Sequence, residues 1–278
     1  MTFVTRFAPS PTGPLHIGHA YSACIAASRA GTAQGVFHLR FEDLDRARVR
    51  PEWYTLIEDD LAWLGLTWTI PPLRQSQHVS RYGAALDQLM ALGLVYPCSC
   101  TRADIQAAGV APQEGATYGP IYPGTCRGRS MDDRKPGDAL RLNIGKAAQQ
   151  IGAFSFVDTG PVRPGTHLVT PEDLSCRTGD VVLSRRSTDE IAYLLASALD
   201  DAYQGVSEVI RGSDLVDFTP VQVLLLKLWG CDVPTYHHHA LIRDSAGKRL
   251  AKRDDARAIS TYRAEGATPA DIRRMVGL

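Results

Sequence analysis

Short apolar-rich runs at 2–7 (TFVTRF) and 36–41 (VFHLRF) predict two strands, and the alanine-rich stretch from about His19 to Arg29 between them predicts a helix. Pro51 suits the first position of a second helix, along which Trp53, Leu56, Ile57, Leu61 and Leu64 recur at helical spacing. Asp60 is a polar intrusion on that same face. A third helix is predicted from about Val79 to Leu92, ending near Gly93. Strand, helix, strand, helix is the opening of a parallel α/β sheet.

The pattern changes after Pro97. Residues 98–184 are rich in Gly, Pro and charge, with strand-like runs ALRLNI and FSFVD, and predict a smaller inserted unit. Helical texture returns in EIAYLLASALDDAY and over 217–229, so 1–97 and 185–235 are expected to form one split α/β domain. Residues 236–278 are expected to form a loop and a small helical segment. The 278 residues hold 30 Lys and Arg against 30 Asp and Glu, which argues against a histone-like or tail-driven nucleic-acid binder. Residues 241–278 nevertheless carry nine Lys and Arg against five Asp and Glu, a local surplus suited to an RNA-sized partner. Six cysteines are too few for a disulfide scaffold. No apolar run follows the N-terminal charge, and the apolar stretch 221–228 is short and holds Gln222 and Lys227. A cytoplasmic protein without membrane contact is expected.

The chain has neither a P-loop nor a G-x-G-x-x-G after its first strand. Pro14-Leu15-His16-Ile17-Gly18-His19 stands there instead. Gly18 lets a flat base or ribose lie against the backbone, His16 and His19 can donate to phosphate oxygens, and the helix start adds its N–H groups. Glu42, just past the second strand, is placed to take an α-ammonium. Arg6 and Arg211 can hold carboxylates with a planar fork, and Tyr193 can close the pocket. Singly, each of these also has a plain structural reading, as a surface charge or a core tyrosine. Cys98, Cys100 and Cys126 offer three thiolates to one tetrahedral ion, with Tyr118 and Tyr122 both open as a fourth ligand. His237-His238-His239 reads as packing beside the nucleotide rather than a metal site.

RFAPSPTGPLHIGHA at 6–20 closely resembles the opening of glutamyl-tRNA synthetases, class I enzymes with the HIGH signature. The resemblance implies a Rossmann-like parallel sheet with an inserted zinc-containing, acceptor-domain-like unit. It implies that Arg6, Ala8 and Ser10 line a glutamate pocket and that His16, Gly18 and His19 face ATP. Glu42 in FEDLD, Tyr193 in AYLLASALDD and Arg211 in VIRGSDL sit in contexts similar to the family's glutamate-binding residues. Arg249-Leu250-Ala251-Lys252 stands where the family has a KMSK-type loop, which places Arg249 and Lys252 near the ATP phosphates, although the serine of the motif is an alanine here. His16, His19 and Lys252 are then the expected catalytic residues. The short glutamyl-queuosine synthetases are similar in the metal segment, with Cys-x-Cys, then Tyr, then Cys four residues on; Tyr122 fits that spacing and Tyr118 does not. Full glutamyl-tRNA synthetases continue into a helical anticodon-binding domain, whereas this chain stops after the closing loop and a short helix. The truncated paralogues are therefore the expected relatives. They activate L-glutamate with Mg²⁺-ATP without tRNA, then pass it to the queuosine base in the anticodon of tRNA(Asp). Structural Zn²⁺ and a monomer complete the expectation. A fragment charging tRNA(Glu), another adenylate-forming enzyme of the same fold using a different acid, and a non-catalytic tRNA-binding module are the competing readings.

Overall fold

A computed structural model describes residues 2–108, 121–185, 190–242 and 257–278. Strands β1 (Val4–Phe7), β2 (Val36–Phe41) and β3 (Leu73–Arg74) run parallel, with Arg6 opposite His38 and Arg40 opposite Leu73. Helices α1 (Ile17–Thr32), α2 (Pro51–Trp63) and α3 (Val79–Ala91) alternate with or follow them. Next come β4 (Val95–Cys98), α4 (Arg102–Ala107), β5 (Ala139–Leu142), α5 (Ile144–Ile151), β6 (Phe154–Asp158), β7 (Gly165–Val169), α6 (Pro171–Arg177) and β8 (Val182–Ser184). The chain then forms α7 (Tyr193–Tyr203), β9 (Glu208–Gly212), α8 (Thr219–Leu228), β10 (Thr235–His239), α9 (Ile259–Ala264) and α10 (Pro269–Met275).

β10 pairs in parallel with β9 on one side and β6 on the other, and β7 pairs antiparallel with β6. The Ser207 N–H donates to the Val4 carbonyl at 2.9 Å, which sets the start of β9 beside β1. The sheet therefore reads β3-β2-β1-β9-β10-β6-β7, a doubly wound order whose direction of build reverses between β1 and β9. In such sheets ligands bind in the crevice at the strands' C-terminal ends, where the order reverses. β4, β5 and β8 form a separate antiparallel sheet. The hairpin β6–β7 lies within the stretch expected as an inserted unit, yet it is hydrogen-bonded to β10 and extends the parallel sheet.

One core packs α1 on β1 and β2 through Leu15, Ala20, Ala23, Leu39 and Phe41, with Ile57 and Leu61 of α2 and Ile259 and Ile272 of the C-terminal helices. The alanines let α1 approach the sheet closely. Asp60 lies in α2 with no exposed surface, and neither carboxylate oxygen has a hydrogen-bond partner among the described residues. A second, larger core runs continuously from Leu140, Ile144 and Leu183 to Leu195, Val209, Leu224 and Tyr236. Among the described residues no helix is long and apolar enough to cross a membrane.

Candidate active site

A cleft of about 520 Å³ opens at the C-terminal ends of β1, β9 and β10. Its lining includes nine predicted residues: Arg6, Ala8, Ser10, His16, Gly18, His19, Glu42, Tyr193 and Arg211. These come from segments up to 205 positions apart, from Arg6 to Arg211. The predicted Arg249 and Lys252 lie outside the described residues.

The HIGH segment is itself the start of α1, whose first residue, Ile17, comes two positions before the start that the alanine pattern suggests on its own. His16 is the N-cap: its Nδ1 accepts the Gly18 N–H at 3.1 Å, while His19 Nδ1 accepts the His16 N–H at 3.2 Å. A ring nitrogen that accepts a backbone N–H carries no proton, so the neutral rings hold theirs on Nε2. The two rings stack with centroids 3.8 Å apart. The segment thus combines two aligned Nε2–H donors with the positive end of a helix. His239 also lines the cleft, its Nε2 2.7 Å from Ser22 Oγ.

On the other side, charges are interlocked. Arg6 Nε lies 2.8 Å from Asp201 Oδ1, and Arg40 Nη1 lies 2.8 Å from the same oxygen. Arg40 Nη2 is 3.6 Å from Glu42. Burial alone would raise the Asp201 carboxyl; Arg40 and Arg6 more than reverse it and hold it below its ordinary range. Burial pushes the Glu42 carboxyl up to about 7, against the pull of Arg40 and Arg6. Arg211 is 5% exposed and donates to His238 Nε2 at 3.0 Å, Gln222 Oε1 at 2.7 Å, Thr219 Oγ1 at 2.8 Å and the Tyr193 hydroxyl at 3.5 Å. Asp201 and Arg40 were not legible as site residues, and His238 was read only as packing: the sheet brings each behind a cleft residue. Of the three consecutive histidines, His239 faces the cleft, while His238 stands behind Arg211 rather than beside the nucleotide segment.

Cys98, Cys100 and Cys126 come together away from the cleft, their sulfurs all within 4.8 Å of one another. Cys100 and Cys126 Sγ are 3.6 Å apart, and the Tyr122 hydroxyl is 3.4 Å from Cys98 Sγ and 3.5 Å from Cys100 Sγ. Ligands about 2.3 Å from a tetrahedral zinc are separated by about 3.8 Å, so four such atoms fit one ion. Burial alone would raise the Cys126 thiol; hydrogen bonds from Tyr122 and the Ser99 backbone outweigh it and bring it down to about 6, towards the thiolate a metal needs. Tyr118 lies outside the described residues.

Residues 2–278 match the family profile described as tRNA synthetases class I (E and Q), catalytic domain. A glutamyl-Q tRNA(Asp) synthetase of Rhodobacter capsulatus is 54% identical over 99% of this chain and 100% of its own length. Another of that name, from Symbiobacterium thermophilum, is 39% identical over 96% of this chain and 83% of its own. Among solved structures, a glutamate tRNA ligase from Elizabethkingia meningosepticum in complex with its amino acid superposes with a TM-score of 0.77 at 24% identity, over 99% of this chain and 60% of that one. The last likeness speaks for the fold alone, and it is the same class I sheet. With near full-length relatives on one side and that sheet on the other, the chain belongs to the class I tRNA synthetases of the E and Q type and, within them, to the glutamyl-Q tRNA(Asp) synthetase family.

Proposed function

We propose that this protein activates L-glutamate with ATP in the absence of tRNA and transfers it to the queuosine base in the anticodon of tRNA(Asp). The observation that carries the reading is one cleft with two chemically distinct ends. The helix start with its paired His16 and His19 donors suits phosphates, and the Glu42–Arg211–Tyr193 end suits an amino acid. The full-length likeness to the Rhodobacter capsulatus protein supplies the acceptor.

Glu42 takes the α-ammonium of glutamate, Arg211 a carboxylate, and the Tyr193 hydroxyl closes the pocket that Arg6, Ala8 and Ser10 line. His16, Gly18 and His19 receive ATP, and Lys252 and Arg249 close over its phosphates, where cations stabilise charge growing in the transition state. The α-carboxylate of glutamate attacks the α-phosphorus of ATP and pyrophosphate leaves. A hydroxyl on the cyclopentene ring of queuosine then attacks the activated carbonyl, and AMP leaves. Orientation in the cleft does most of this work, and no protein nucleophile is required. Mg²⁺ accompanies ATP and screens its charge. Cys98, Cys100, Tyr122 and Cys126 would hold a structural zinc that ties residues 98–184 against the split domain of 1–97 and 185–235, with 236–278 as closing loop and helical segment. The protein works as a cytoplasmic monomer.

Pyrophosphate exchange across a panel of amino acids should peak at L-glutamate without tRNA. Labelled glutamate should then pass to queuosine-containing tRNA(Asp) and not to tRNA(Glu). A peak at glutamine or aspartate overturns the pocket assignment, and charging of the tRNA(Glu) 3′ end overturns the acceptor.

A further inference from the structure

Behind Arg211 lies a pair of side chains that no part of the proposed reaction uses. His238 is entirely buried, and its Nδ1 is 2.5 Å from Asp158 Oδ2. Asp158 Oδ1 is already committed, accepting the Gly160 N–H at 2.8 Å and the His238 N–H at 3.2 Å. Arg211 and His238 are cross-strand partners on β9 and β10, and Arg211 Nε donates to His238 Nε2. Arginine cannot accept, so His238 Nε2 must be unprotonated, and the proton of the neutral ring must sit on Nδ1 facing the carboxylate. Burial and the Arg211 charge push His238 down to about 4 despite Asp158, which keeps the ring neutral. The support is tight: a Cβ on Gly160 would lie 2.2 Å from the His238 carbonyl oxygen, so the turn after β6 rests directly on β10.

We infer that Asp158 and His238 are positioning residues for the amino-acid pocket: Asp158 fixes the imidazole tautomer, and the lone pair this leaves on Nε2 fixes the plane of the Arg211 guanidinium. The inference rests on the reading of Arg211 as the residue that receives a substrate carboxylate. It gives the hairpin β6–β7 a part in substrate selection, because that hairpin supplies the carboxylate. With Nε held by His238, one terminal nitrogen by Gln222 and the other by Thr219, the fork has a single orientation. A guanidinium set in advance binds a carboxylate without the cost of ordering it on arrival.

The deciding variant is Asp158→Asn, which keeps shape and volume. Its carbonyl oxygen takes over the two backbone N–H groups, which turns the amide NH₂ towards His238 Nδ1. The ring must then carry its proton on Nε2, against the Arg211 N–H. The ring ¹⁵N shifts of His238 should show protonated Nδ1 in the wild type and protonated Nε2 in Asp158→Asn. In pyrophosphate exchange, the KM for glutamate should rise tenfold or more while the KM for ATP stays within twofold and the melting temperature barely moves. His238→Gln, whose side-chain oxygen can still accept from Arg211, should lose less than Asp158→Asn, and His238→Leu should lose at least as much. An unchanged tautomer, an unchanged glutamate KM, or equal rises for both substrates overturns the inference. The ring shifts need no substrate. Should the wild type peak at another amino acid, the proposed function fails, while the tautomer and the KM split for that amino acid still test the positioning role.

Discussion

Glu42 gives the cleft a pH dependence whose sign follows from its surroundings. Its carboxyl is pushed up to about 7 by burial, so the empty site is partly protonated at neutral pH. A bound ammonium favours the ionised form, so glutamate binding should release a proton at pH values from about 5 to 7.5. The KM for glutamate should therefore fall as pH rises from about 5.5 to about 8 and then level off. Calorimetry in two buffers of different ionisation enthalpy would measure the released proton, and Glu42→Gln should abolish it. The empty protein carries the opposite linkage: the stability tied to the raised Glu42 pKa is full below the ordinary carboxylate range and is lost as pH rises through about 7. Glu42, Tyr193 and Arg211, which line the cleft, were legible because the runs around them resemble a known family's, and not from their chemistry taken singly. Asp158 and His238 were not, because 80 positions separate them and their meeting depends on β6 pairing with β10. His16 escaped the helix-start rules because those rules look for Ser, Thr, Asp or Asn at the cap, and a histidine fills that place here.

In α2 the buried Asp60 breaks an otherwise apolar face. Burial pushes its carboxyl up to about 6, with Arg263 pulling the other way. Its stabilising contribution is full below its ordinary pKa and is lost as pH rises through about 6, so the folded state bears the cost of a buried charge at higher pH. Asp60→Asn should thus stabilise by about 1–3 kcal/mol at pH 8 and by almost nothing at pH 4, read from thermal melts across that range. The cluster of Cys98, Cys100 and Cys126 makes a second prediction. Elemental analysis should find about one zinc per chain, and Cys100→Ser should lose it and lower the melting temperature, because structural zinc contributes folding energy. A metal-free wild type of full stability would end that assignment. Strands β2 and β6 could be read to the residue from their sequences. The start of α1 could not, since Pro, Gly and His before it signal a turn and only the folded cap shows the turn to be the helix's first residues.

Across the whole chain, zero net charge hides an excess of four cations in residues 241–278. Transfer to tRNA should therefore be salt-sensitive where activation is not. Going from about 50 to about 200 mM salt should slow transfer roughly tenfold or more through lost phosphate contacts, while pyrophosphate exchange changes by less than about twofold. Equal sensitivity of both steps would remove the tRNA role of this segment. The parallel sheet was predictable from strand-helix alternation at the N-terminus, but the place of β6–β7 was not, because a run such as FSFVD does not name its partner strand. The larger core passes without a break from Leu140 and Leu183, on the sheet that carries Cys98, to Val209 on β9 and Leu224 on α8. Within that core there is no seam along which the β5–β8 side can melt while the β9–α8 side survives. Heating should give one calorimetric transition, and chelation should slide that transition downward rather than divide it.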